Sequence, residues 1–224
     1  VKINDPGNPG RIYICGKGIV HFAPMPPVAA KRMEQIRRDD SVRMRLTIER
    51  LEGIFTACGL RTGLSEASVI ASLVRRYNVA SRQVCLQERH VAQAFQESLF
   101  TLVTPRERRQ VLGRLFGLVS DSDPADSVRV QNEIRTHLMK VGKPAFVPET
   151  FVNFEQACRL ILELGGIPCY PILADGATPI CPYEDPPEKL VEVLKRNQLH
   201  CAEFIPVRNK PEVLERYVRA VREA

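Results

Sequence analysis

The chain has 224 residues, 44% hydrophobic and 26% charged, with 32 basic against 26 acidic side chains, a net charge of +6 and a pI of about 9.0. This is the profile of an ordinary globular protein large enough to fold without staples, and no apolar run approaches the roughly 18 residues of a membrane-spanning helix. The expectation is therefore a cytoplasmic protein with no membrane partner, and the opening Val1 reads as a fragment or a processed chain.

The basic excess favours an anionic ligand weakly, because cations and acids are interleaved along the helices as on a solvated surface. Seven cysteines, at 15, 58, 85, 158, 169, 181 and 201, are odd in number and never form Cys-x-x-Cys. Most lie in apolar runs, which predicts buried free thiols in a reducing compartment.

In chain order, "RIYICGKGIV" alternates Ile12 and Ile14 against Tyr13 and Cys15 and stops at Gly16 and Gly18, a strand running into a loop. The proline cluster "APMPP" ends this first region, residues 1–27. From 28 to 140 the signals are helical. Met33, Ile36, Met44, Ile48, Leu51, Ile54, Phe55 and Cys58 recur at three- and four-residue intervals, with Gly59 as C-cap. "LSEASVIASLVRRYN" follows with Ser65 as N-cap, and "QERHVAQAFQESLFTLV" carries Val91, Phe95, Leu99 and Leu102 on one face. Thr104 before Pro105 predicts the start of another helix, and "VRVQNEIRTHLMKVG" a last one.

From 141 to 224 the period changes. The helix "NFEQACRLILELGG" feeds the strand "IPCYPIL", "PPEKLVEVLKRNQ" feeds "HCAEFIP", and "KPEVLERYVRAVREA" closes the chain, so parallel βα units are expected. The strands near 11–16, 167–173 and 201–206 are too few to close a barrel of about eight.

In parallel α/β architectures the chemistry gathers beyond the carboxyl ends of the strands. Lys17 follows the first strand, Asp175 the second, Arg208 and Asn209 the third, which predicts one shared rim of cations, a carboxylate and an amide. Lysine and arginine suit phosphate oxygens; taken singly, each of these residues also reads as an exposed loop residue. Glu203 sits in an otherwise apolar strand, where a carboxylate needs a cation, a metal or a substrate beside it. His200 falls at the opposite rim, and His21 and His137 read as loop and helix-surface residues.

Four blocks occur in a set order: "RMRLTIERLEGIFTACGL", "ERHVAQAF", "VGKPAFVP" and "ACRLILELGGIPCYPIL". With their spacing from about 11 to 206, they resemble the PHP (polymerase and histidinol phosphatase) superfamily. The nearest branch is that of small phosphoesterases acting on nucleoside monophosphates and on RNA or oligonucleotide ends. The resemblance implies an α/β fold: an incomplete PHP-type (βα) barrel interrupted by a large all-helical insertion, with 28–140 as the cap and 141–224 as remaining barrel units. It also implies divalent metal ions, Mn, Zn or Fe, and hydrolysis of a phosphate ester. On that model Glu203 and Asp175 hold a metal or orient water, while Lys17 and Arg208, with Asn209, steady the phosphate. Arg89 and His90 either reach the phosphate from the cap or form a structural pair with Glu88 as partner of Arg89.

The departures from the family pattern are informative. The opening His-x-His and terminal Asp-x-His strands have no counterpart, and Tyr13 in "IYICG" and Tyr170 in "CYP" stand where the family places histidine. A phenol is a poor metal ligand beside a neutral imidazole, yet it donates a hydrogen bond to a phosphate or nucleobase. The metal ligands of this chain thus stay unassigned, and the chain alone is expected to hydrolyse nothing measurable. The alternative is a non-catalytic module that binds a nucleotide or oligonucleotide, or a protein partner. Its support is the basic helix with Lys31, Arg32, Arg37, Arg38, Arg43, Arg45 and Arg50.

Overall fold

The computed structural model describes residues 13–120, 123–150, 152–172, 184–204 and 210–224. The fold is mixed α/β and mostly helical, in two compact units: Glu34–Phe151, and a discontinuous unit made of Val1–Met33 and Val152–Ala224.

The first helix, α1 (Pro27–Ala57), carries Met44, Ile48, Leu51 and Phe55 at four- and three-residue steps, and all four are buried. It ends at Gly59, whose φ of 83° is left-handed, and the Leu60 amide closes the turn on the Phe55 carbonyl at 2.9 Å. α2 (Glu66–Tyr77) starts at Ser65, whose hydroxyl accepts from the Ser68 amide while the Ser68 hydroxyl accepts from the Ser65 amide. α3 (Glu88–Leu102), α4 (Arg108–Phe116) and α5 (Ser127–Ile134) complete the helical unit. Its core joins Phe55 and Phe95, with ring centroids 4.9 Å apart, to Val91, Leu99, Val111, Leu112, Leu115, Val130 and Ile134.

Two boundaries differ from the sequence expectation. Thr104 and Pro105 form a turn instead of the first helical residues: the Thr104 carbonyl accepts from the Arg108 amide and its hydroxyl bonds Glu107, so α4 proper begins at Arg108. After α5 the chain widens into a π turn, Arg135–Met139, closed by the Lys140 amide on the Arg135 carbonyl at 3.1 Å. The wider turn lets the consecutive residues Leu138 and Met139 both enter the core.

The α/β unit contains β1 (Cys15–Lys17), α6 (Phe154–Glu163), β2 (Ile167–Pro171), α7 (Pro187–Arg196), β3 (Ala202–Glu203) and α8 (Pro211–Arg222). The described strands form one sheet in the order β1-β2-β3. β2 and β3 are parallel, as the βα alternation predicts, with Tyr170 opposite Ala202 and Pro171 opposite Glu203. β1, however, runs antiparallel to β2, with Cys15 opposite Cys169 and Lys17 opposite Ile167. The expectation that Lys17 shares a carboxyl-end rim with the residues after β2 is corrected accordingly: its backbone lies at the start of β2.

The double glycine before β2 is required sterically. Gly165 takes φ 72°, and a Cβ there would stand 2.6 Å from Val20 and 2.8 Å from the His21 ring; at Gly166 it would meet Ile19 at 2.8 Å. This closeness lets the Val20 and His21 amides both donate to the Leu164 carbonyl at 3.1 Å, which fastens the segment after β1 to the end of α6.

A polar sheet face as the candidate functional site

Side chains alternate along a strand, so the register sorts this small sheet into two faces. Tyr170, Ile172, Ala202, Phe204 and Ile14 lie on the face packed by α6, α7 and α8, in a core with Leu190, Leu194, Val213 and Tyr217. Cys15, Lys17, Cys169, Cys201 and Glu203 lie on the other face.

Lys17 and Glu203 form an ion pair across that face, with their side chains 46% and 28% exposed. Lys17 stands opposite Ile167 and Glu203 opposite Pro171, so the lysine side chain crosses β2, and Cys169, between those two positions, is fully buried. The hydrogen bond to Glu203 pushes the Lys17 ammonium above its ordinary range. The same bond, helped by a second one from the Cys15 thiol, holds the Glu203 carboxyl below its ordinary range. Cys15 is pushed up, by burial first and then by its bond to Glu203. Burial, the hydrogen bond with Cys201 and the nearby Glu203 charge push the Cys169 thiol up to about 12. The strand acid therefore has a lysine for partner, and of the cations expected around it only Lys17 belongs to the described residues.

The other expected site residues are distributed as follows. Asp175, Arg208 and Asn209 lie outside the described residues. Tyr13 is half exposed just ahead of β1, whereas Tyr170 is buried on the helix-packed face, where its hydroxyl donates to Oε1 of Glu184 at 2.6 Å. Tyr217 donates to the backbone carbonyl of the same glutamate at 2.5 Å. Glu184 is fully buried, and nothing in the sequence marks it, since an acid ahead of the Asp-Pro-Pro start of α7 looks like a solvent-exposed first-turn residue.

Arg89 and His90 belong to the helical unit. Arg89 is exposed, and Nδ1 of His90 accepts the Gln87 amide at 3.1 Å, so the imidazole caps the start of α3. Burial, then the Arg89 charge, lower its pKa. Glu88 bonds Lys140 at 3.0 Å and Arg43 at 3.4 Å; Arg43, 13% exposed, also holds Asp40 at 3.2 Å and Glu149 at 3.1 Å. Other cations of the basic helix are likewise engaged: Arg45 with Glu49, Arg38 with Glu34, and Arg50 with the Phe146 carbonyl.

Among the described residues no three or more His, Cys, Asp or Glu side chains come together in a way that could hold a metal ion. At Glu203 the local chemistry points the same way, because an ammonium already occupies the position a divalent cation would take on that carboxylate.

Fold and site together define a small α/β unit with one polar sheet face, interrupted by a self-contained helical unit. Compared with protein-family models, with curated proteins and with solved structures, the chain matches none of them. Among the described residues no helix is long and apolar enough to cross a membrane.

Proposed function

We propose that this chain is a phosphate-recognition module of PHP-like descent: an incomplete α/β barrel piece with a helical insertion that binds a nucleotide-type phosphate without hydrolysing it. The observation that carries the reading is the insertion of a complete helical unit, Glu34–Phe151, between β1 and β2 of one α/β unit. The four sequence blocks follow that same order, from helical insert to double glycine to strand.

The phosphate contact in this reading is Lys17. Its ammonium has three donors, of which Glu203 needs one, and its side chain is nearly half exposed. Glu203 orients the lysine. The oligonucleotide alternative draws less support, since Arg38, Arg43, Arg45 and Arg50 are already engaged within the helical unit.

Calorimetric titration of the whole chain with adenosine monophosphate and with adenosine tests the reading. The monophosphate should bind and the nucleoside should not, and Lys17→Gln should weaken binding about tenfold, the loss expected for one charge-assisted hydrogen bond. Equal behaviour of the two ligands, or turnover of the monophosphate with manganese or zinc, overturns it.

A further inference from the structure

Three cysteines, one from each strand segment, line up across the polar sheet face. Cys15 stands directly opposite Cys169 in the antiparallel ladder. On the other side the parallel register of Tyr170 with Ala202 brings Cys169 level with Cys201, and the Tyr170 amide donates to the Cys201 carbonyl at 2.9 Å, so the ladder continues through that position. Neighbouring strands lie about 4.8 Å apart. That spacing falls within the Cα separation of about 4.4 to 6.8 Å that a disulfide accepts.

The two adjacent pairs are not equivalent. The Cys15 thiol is engaged with the Glu203 carboxylate, whereas the Cys169 and Cys201 thiols hydrogen-bond each other. All three are free thiols in this structure. Cys169 is fully buried, whereas Cys201 is partly exposed. Neither has a part in the phosphate reading.

We propose that Cys169 and Cys201 form a dithiol modification site that a small-molecule disulfide such as oxidised glutathione converts to an intramolecular disulfide joining β2 to β3. Cys201 reacts first: its sulfur attacks one sulfur of glutathione disulfide, forms a mixed disulfide and releases one glutathione thiolate, which takes up the proton. Cys169 then gives up its proton, attacks the Cys201 sulfur from within as the thiolate and displaces the second glutathione thiolate, which takes up that proton; with its thiol pKa held high by burial, this is the slower step. Two protein thiols are oxidised by two electrons, and one glutathione disulfide is reduced to two glutathione thiols. Cys15 stays reduced, because its sulfur is turned to Glu203.

The native chain is incubated with millimolar oxidised glutathione over hours, quenched with acid, alkylated in denaturant, and mapped by non-reducing peptide mass spectrometry. The expected product is one link between the peptides of Cys169 and Cys201, two fewer alkylated cysteines per chain, and full reversal by dithiothreitol. In Cys169→Ser, Cys201 should retain glutathione as a stable mixed disulfide. The same incubation in urea should give mixed pairings among all seven cysteines, which separates fold-directed pairing from chance. A native link from Cys169 to Cys15, any other native pairing, or no link at all overturns the proposal.

Discussion

The Tyr170 hydroxyl donates to the Glu184 carboxylate at 2.6 Å in the buried core of the α/β unit, joining β2 to the segment that leads into α7. A buried carboxylate is tolerated only with donors around it. Tyr170→Phe removes a donor while keeping the ring, so it should destabilise the α/β unit by about 1–3 kcal/mol in urea denaturation. A stability equal to wild type would show that this bond contributes nothing net.

Tyr217 tests the same core by titration. Burial, then the charges of Glu184 and Asp185, push its hydroxyl up to about 12. In an absorbance titration of the folded chain, Tyr217→Phe should remove amplitude from a late phase near pH 12. A late phase unchanged by Tyr217→Phe would contradict the buried geometry.

His90 gives the helical unit a pH dependence. Its Nδ1 accepts the Gln87 amide, so the ring is neutral with its proton on Nε2, and protonation would set two donors against each other. Its folded pKa is lowered from 6.5, so its contribution is present above 6.5 and is lost as pH falls through the folded value. The imidazole resonances should titrate below pH 6.5, with amide exchange at the start of α3 rising in step. His90→Ala should cost about 1 kcal/mol at pH 7 and nothing additional at low pH.

The Lys17–Glu203 pair has a different window. The Glu203 pKa is depressed from 4.5, so its contribution is present above 4.5 and fades as pH falls through the folded value; the Lys17 pKa is raised from 10.5, so its share is present below 10.5 and fades at higher pH. Lys17→Met should leave Glu203 titrating closer to 4.5, readable from carboxyl chemical shifts. The effect on melting temperature should be small and salt-sensitive, as for exposed pairs generally.

Phe95 meets Phe55 at 58° between ring planes with both rings fully buried. Phe95→Ala removes that contact and leaves a cavity, at a cost of about 3–5 kcal/mol in the helical unit, against less than about 1.5 kcal/mol for Phe95→Leu if neighbours repack. Equal losses from the two substitutions would mean that ring shape, and not volume, sets the packing.

Much of the local structure could be read in the residues themselves. The spacing of Met44, Ile48, Leu51 and Phe55 specifies one face of a helix, Ser65 begins α2, and the chain stops α1 at Gly59, because each of these signals acts within a few residues. The strands at 167–171 and 202–203 fall inside the predicted runs, whereas β1 at 15–17 overlaps the run predicted near 11–16 only at its end and continues through Gly16 to Lys17. Long-range relations were not legible in this way. Alternation within "IYICG" is the same whether the strand pairs parallel or antiparallel, so the reversed direction of β1 is invisible in it. Arg43 reads as one more surface cation on a basic helix until α3 and the loop before Phe151 bring Glu88 and Glu149 to it.

The amino-acid order alone determined which segments coil, which extend and where glycine must stand, since those preferences come from backbone sterics and from apolar spacing along a few turns. Only tertiary structure decided that Lys17 meets Glu203, that Glu184 is sealed beneath two phenols and that Cys169 and Cys201 face each other. These partners are 14 to 186 residues apart along the chain, and strand register is chosen by the burial of a whole sheet face at once.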